Sequence, residues 1–392
     1  MGLVDLSSAP VVDAHTHPYR LEDVLRADAA GFDTRIMFLG ESFHSSSRLD
    51  PALFGFADEL TDSTVFGIAL VRRLAEHLGC EPTRAAVTRA RSAALHADPT
   101  GYTKGLLDAA GVIAVLSDDG FPQPPIPAEE FSRAIGATVH RVARLEPWIL
   151  THREGGFDDL VSGMESEAAT AAGDPNCVAY KSIVAYRTGL DVGDPSASEA
   201  SAALERWRAD DWRESREHAK PVRDFLIRRA LAVAKAHDRP FHFHCGGGDP
   251  DIVLAHARPS EMFPLLLDVQ DQAVVLVHAG YPWIREAAYI ASILPHVYLE
   301  LSELIPWSFG QVEWALEMLV GAVPAAKLLY GSDEAGEPEA FWISALLARE
   351  ALERVLERFI ERGYLGAPDA DRIGRLVLAE SCRDLHGLPR RG

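Results

Sequence analysis

Residues 240–249 read Pro-Phe-His-Phe-His-Cys-Gly-Gly-Gly-Asp and residues 273–280 read Ala-Val-Val-Leu-Val-His-Ala-Gly, two short apolar runs that each end in a histidine with a glycine two residues on. Runs of this length read as buried strands, and the longer segments of helical period between them make repeated βα units around a parallel sheet. Working outward, six more such runs can be placed. Val11–Ala14, Val112–Leu116, Val139–Leu145 and Cys177–Val184 precede the quoted pair; His296–Leu301 and Lys327–Tyr330 follow it. Eight parallel strands in the α/β class predict a (β/α)8 TIM-like barrel, one domain over residues 1–392, with reactive groups at the C-terminal strand ends. Nearly a hundred residues part the first two strands and carry helical patterns at Thr64–Leu78, Pro82–Leu95 and Thr103–Ala109. They read as a helical insertion after strand 1, at about residues 40–110, above the barrel mouth, with a separate cap domain as the alternative. Gly189–Asp211 reads as an exposed loop or helix, and Phe341–Gly363 and Ala370–Leu385 as the last helices.

Composition narrows the function. The 392 residues include 38 Lys and Arg against 58 Asp and Glu, a formal charge of -20, and no basic run offsets it. A nucleic-acid groove or an anionic membrane surface is therefore not expected. No apolar window is long enough to span a bilayer, and Met1–Asp13 lacks the basic and apolar regions of a signal peptide. The expectation is a cytoplasmic protein that acts on a small molecule, compatible with a homo-oligomer. Cys80, Cys177, Cys245 and Cys382 are widely spaced with no CxxC pair, so reduced thiols are expected rather than disulfides or a zinc knuckle.

The strand ends carry the chemistry. The first reads Val11-Val12-Asp13-Ala14-His15-Thr16-His17; two histidines two apart on an extended segment project to one side and can reach one divalent ion. His244 ends the fifth strand and His278 the sixth, while the eighth delivers Asp333. His242, one layer deeper than His244, reads as a core histidine. Neutral imidazoles with a carboxylate suit zinc first, then manganese, iron or nickel, with a water activated at an open position. Lys181, near the end of the fourth strand, is either a carboxylated bridge between two ions or a lysine paired with an acid. Arg187 beyond the same rim is either a fork for a substrate carboxylate or a salt bridge. Asp118 and Asp119 after the second strand could receive a substrate ammonium or simply form a turn. Glu41 and His44 could reach the mouth from the insertion, and Trp283, Trp307 and Trp314 read as packing residues rather than as a sugar platform.

The order HxH, Lys, His, His, Asp resembles the amidohydrolase superfamily, amidohydrolase-2 type. Within it the chain is similar to the amidohydrolase domain fused in some fungal and plant proteins to a glutamine-synthetase-like domain. The stretches that carry the likeness are VVDAHTHP (11–18), LSDDGFP (116–122), YKSIVAYRTGLDV (180–192), FHCGGGDPD (243–251), VLVHAGYPWIREAAYIA (275–291) and LLYGSDEAGEPEAFW (328–342). The resemblance implies a metal-dependent barrel with one or two ions, held by His15, His17, His244 and Asp333. His278 then binds a second ion, with Lys181, or contacts the reacting oxygen. The activity implied is hydrolysis of a C–N bond, with a γ-glutamyl amide as the suggested substrate. A non-oxidative decarboxylase or isomerase is the second expectation and a non-catalytic regulatory barrel the third. One departure stands out: the turn after His244 is Cys-Gly-Gly-Gly-Asp, where the family more usually has Thr-Gly and an aromatic residue.

Overall fold

The computed structural model describes residues 3–27, 29–45 and 49–389. Eight parallel strands stand in sequence order: β1 (Val11–Thr16), β2 (Val112–Asp118), β3 (Thr138–Arg144), β4 (Cys177–Ser182), β5 (Phe241–His244), β6 (Val274–Val277), β7 (Val297–Glu300) and β8 (Leu328–Leu329). Backbone N–H groups of Ala14, His17 and Asp333 donate to the carbonyls of Tyr330 (2.9 Å), Glu334 (2.7 Å) and His15 (2.9 Å), which draws the end of the sheet back to its beginning. Each run read as a strand is one, with no end moved by more than two residues.

Alternation along the strands divides the apolar residues into two cores. Val12, Ala14, Leu116, Val142, Val275, Val277 and Leu329 fill the barrel, and Cys382 and Leu388 from the last helical segment close its N-terminal end. A larger cluster packs the helices on the outside of the sheet. His242 belongs to the interior, and its Nε2 meets His386 Nε2 at 2.9 Å.

The insertion begins directly after β1, earlier than residue 40, and ends at Gly111. Its helices start where sequence signals allow. Thr64 accepts from the Gly67 N–H (3.0 Å) and Asp98 from the Gly101 N–H (2.8 Å), ahead of Val65–Leu78 and Pro99–Ala110. Gly79 and Gly111 end these helices in the left-handed conformation. A buried network then ties the insertion to the segment after β8. Arg91 Nε lies 2.6 Å from Glu339, Tyr102 donates to Glu339 at 2.5 Å, and both Arg91 and Arg35 pair with Glu337. Charges removed from water are stable only when paired in this way, so the network fixes the insertion beside the barrel mouth. The Gly189–Asp211 stretch holds the helix Ala197–Ala209, and the long helix near the C-terminus runs over Glu339–Glu361.

Candidate active site

A cavity of about 210 Å³ opens at the C-terminal ends of the strands. His15 (β1), His17 (after β1), Arg144 (β3), Lys181 (β4), His244 (β5), His278 (after β6), Glu303 (after β7) and Asp333 (after β8) all line it. Asp333 Oδ1 lies 3.1 Å from His15 Nε2 and 3.6 Å from His17 Nε2. Lys181 Nζ touches His15 Nε2 at 2.7 Å and Asp118 at 3.2 Å. His278 Nε2 meets His244 Nδ1 at 3.0 Å and stands 3.8 Å from Glu303.

Surrounding residues hold these groups in place. Asp13 accepts N–H bonds from His15 (3.2 Å) and Ser332 (3.0 Å), which links the end of β1 that carries His15 to the loop that carries Asp333. Glu300 accepts from the His278 N–H (3.1 Å) and the Ser302 hydroxyl (2.7 Å), while that hydroxyl also contacts His278 Nδ1 at 3.0 Å. After β5 the glycines let the turn pass close to its neighbours. A Cβ at Gly248 would lie 1.9 Å from the Tyr186 hydroxyl, and one at Gly246 2.3 Å from the Tyr281 carbonyl. His278, Glu303 and Asp333 sit at φ of 66°, 59° and 55°, a region that costs a non-glycine residue roughly 1–3 kcal/mol and recurs where function needs a defined side-chain direction.

Burial sets the protonation states. It pushes the imidazoles of His17 and His244 down to about 3 and those of His15 and His278 well below their ordinary value, with the nearby Lys181 cation acting in the same direction. They are thus neutral at pH 7, the form that ligates metals. Burial also raises Asp13 to about 7 and Glu300 to about 8, against the hydrogen bonds each accepts. Asp118 is the opposite case: burial disfavours its charge, but Arg144 and then Lys181 outweigh it and hold the carboxyl well below the usual range. Lys181 is itself lowered, by burial first, although Asp118 favours its charged form.

Among the described residues, three overlapping sets of donors are close enough to share a cation: His15–His278–Asp333, His15–His17–Asp118 and His244–His278–Glu303. The residues fit a divalent ion. His15 Nδ1, His17 Nδ1 and Asp333 Oδ1 are buried polar atoms without a hydrogen bond to the protein, and a nitrogen-rich set with carboxylate oxygens suits first-row metals. The geometry groups His244 with His278 and Glu303 rather than with His15 and His17.

Arg187 lines the cavity, is exposed at its mouth, and has no side-chain ion pair among the described residues. The two aspartates at the end of β2 do not line it. Asp118 is fully buried against Arg144 and Lys181, so it is closed to a substrate ammonium, and Asp119 on the alternate face pairs with Arg141 at 2.6 Å. Glu41 and His44 fall in the helix Phe38–Ser45, but their side chains lie outside the described residues. Trp283 and Trp314 stack with Arg258 and Arg285, whereas Trp307, read as packing, forms part of the cavity wall beside Phe38. Sequence reasoning missed Glu303 and Arg144. Glu303 carried a usable signal, an acid just beyond the seventh apolar run, the same kind of position that drew attention to Asp333.

Residues 179–372 match a family model described as Amidohydrolase. Protein fluG of Emericella nidulans is 35% identical over 229 residues, a match that takes in 56% of this chain and 26% of that protein, so the alignment spans about a quarter of its relative. Among solved structures, an inferred metal-dependent hydrolase of Lactobacillus casei superposes with a TM-score of 0.78 at 23% identity, over 98% of each chain. A uronate isomerase of Thermotoga maritima gives 0.69 at 15% identity, over 98% of this chain and 95% of that one. The glucuronate isomerase of Caulobacter crescentus gives 0.68 at 14%, over 100% and 93%. At these identities the likeness is one of fold. Residues 179–372 are thus similar to the amidohydrolase family, amidohydrolase-2 type; His244, His278 and Asp333 fall inside the matched stretch, and His15 and His17 precede it.

Proposed function

We propose that the protein is a metal-dependent hydrolase that cleaves the C–N bond of a small amide bearing a carboxylate, with a γ-glutamyl amide as the first candidate. The observation that carries this reading is the meeting of His15, His17, His278 and Asp333 in one cavity whose mouth holds the exposed Arg187, without an ion pair among the described residues. His15, His17 and Asp333, with His278 or His244, would hold the cation, zinc being the first choice. When bound, a divalent ion supplies Lewis acidity that makes water nucleophilic near neutral pH. The chain's own groups do the rest. Arg187 forks onto the substrate carboxylate, and Asp333 takes the proton of the attacking water and delivers it to the leaving nitrogen. His278, neutral, gives its Nδ1–H to the Ser302 hydroxyl and its backbone N–H to Glu300, so its Nε2 lone pair faces the site as a ligand for the cation. Lys181 keeps its contacts with His15 and Asp118 and orients the first imidazole.

The test is a set of γ-glutamyl amides incubated with metal-loaded protein, read by amine or ammonia release and by metal content per chain. Stoichiometric metal with release of amine or ammonia supports the reading. Carbon dioxide release, or isomerisation of a hexuronate, would move the reaction to the decarboxylase or isomerase class.

A further inference from the structure

Beside the first cavity lies a second, of about 240 Å³, and the two share Phe121, Trp307, Asp333 and Ala335. Val24 and Ile36 of the insertion and Ala340, near the start of the helix Glu339–Glu361, complete its apolar wall. Apart from Asp333 in the shared wall, its charged groups meet protein partners, Glu334 accepting the Gly336 N–H at 2.5 Å. Arg35 pairs with Glu337, which also receives Arg91, and Asp23 lies 3.5 Å from Arg26. The Trp307 indole N–H donates to the Ile36 carbonyl at 2.6 Å. The chamber therefore offers an occupant mainly apolar and aromatic surface.

Topology says which part of a substrate reaches it. In an eight-stranded barrel the fourth and eighth strands face each other across the mouth. Arg187 follows β4, and the second chamber is built against the loop after β8. A substrate whose carboxylate meets Arg187 points its other end toward Asp333, which stands in the wall common to both cavities.

We infer that this chamber receives the nitrogen side of the scissile bond, so that the substrate is a secondary amide with an apolar or aryl N-substituent, not a primary amide that releases ammonia. The inference rests on the amide-hydrolase reading above. Water adds across the bond: its oxygen joins the carbonyl carbon, the C–N bond breaks, and one proton of the water passes by way of Asp333 to the nitrogen. One carboxylic acid and one amine result. The substituent keeps its apolar contacts with Val24, Ile36, Phe121, Trp307 and Ala340 while the bond breaks.

Two measurements on the purified 392-residue chain separate this inference from the hydrolase reading. Aniline, uncharged at neutral pH, is titrated calorimetrically into the wild type and into Ala340→Phe and Val24→Trp, which fill the chamber. Saturable binding that either change weakens at least about tenfold is expected. Val24→Ala, which enlarges the chamber, should shift preference toward para-propylaniline, a gain that misfolding cannot produce. Absence of saturable aniline binding, or equal binding by wild type and filled variants, overturns the inference. In parallel, γ-glutamyl anilide and glutamine are compared as substrates; the anilide should be favoured at least about tenfold in kcat/KM, and Ala340→Phe should reduce that ratio. A preference for glutamine overturns the inference and leaves the hydrolase reading standing. Release of neither amine nor ammonia overturns the hydrolase reading, and the aniline titration then decides the chamber by itself.

Discussion

Arg144→Met removes the guanidinium that neutralises Asp118 beneath the candidate site. Asp118 is fully buried, receives Arg144 Nε at 2.9 and 3.1 Å together with a second bond from Nη2, and has Lys181 at 3.2 Å as its other cation. Breaking a buried pair by deleting one partner costs about 3–5 kcal/mol. Because Lys181 remains, the lower end applies, and the variant should lose about 3 kcal/mol at pH 7. The sign of the pH dependence follows from the depressed carboxyl. A folded-state value below the unfolded one contributes stability above about pH 3.9, the ordinary aspartate value, which is lost as pH falls. The gap between wild type and Arg144→Met should therefore be widest near neutrality and close in acid. Adding Asp118→Asn should recover most of the loss, since an amide needs no countercharge. Equilibrium urea unfolding at several pH values measures all three proteins. A single variant within about 1 kcal/mol of wild type at pH 7, comparable to an exposed ion pair, would refute the argument that this buried pair holds the floor of the site.

Four further outcomes are expected. The double change His15→Ala with His17→Ala should abolish metal retention while the barrel keeps its far-UV circular dichroism, because both imidazoles come from one strand end; full metal occupancy would defeat the assignment. Asp333→Asn should lower kcat far more than it lowers metal content, since an amide oxygen can ligate but cannot take a proton; activity within a few-fold of wild type would point to another base. Arg187→Ala should raise KM about 10–100-fold for a carboxylate substrate, the equivalent of a charge-assisted bond worth about 1.5–3 kcal/mol. Because Arg187 has no ion-pair partner among the described residues, its unfolding free energy should move by less than about 0.5 kcal/mol. Finally, the imidazoles of His17 and His244, held at about 3 by burial, bind protons more readily in the unfolded chain. Metal-free protein should be fully stable above about pH 6.5, the ordinary histidine value, and lose stability as pH falls from there toward 3; an acid transition confined to lower pH would contradict the buried, neutral state.

Much of this architecture is legible in the order of residues because two kinds of signal are local. Apolar β-branched runs report strands through burial on both faces, and in a parallel barrel every such run ends at the same rim. His15, His17, His244, His278 and Asp333 could thus be assigned to one mouth before any distance was known. Other features depend on contacts between distant segments. Asp118 and Asp119 are adjacent and chemically alike, yet alternation turns one toward Arg144 and Lys181 and the other toward Arg141, and the strand's facing is a property of the closed sheet. The grouping of His244 with His278 and Glu303 depends on left-handed turns after β6 and β7 that no run of apolar residues announces. The second chamber exists only because Arg35 and Arg91 of the insertion pair with Glu337 and Glu339, some 250 to 300 residues away in sequence, and bring Val24 and Ile36 against the loop after β8. The sequence by itself determined the barrel, its rim and the types of ligand there, since these follow from periodicity and residue chemistry. Only the tertiary structure decided which donors share a site and what shape lies beside them, because those are set by side-chain direction and by packing between elements far apart in the chain.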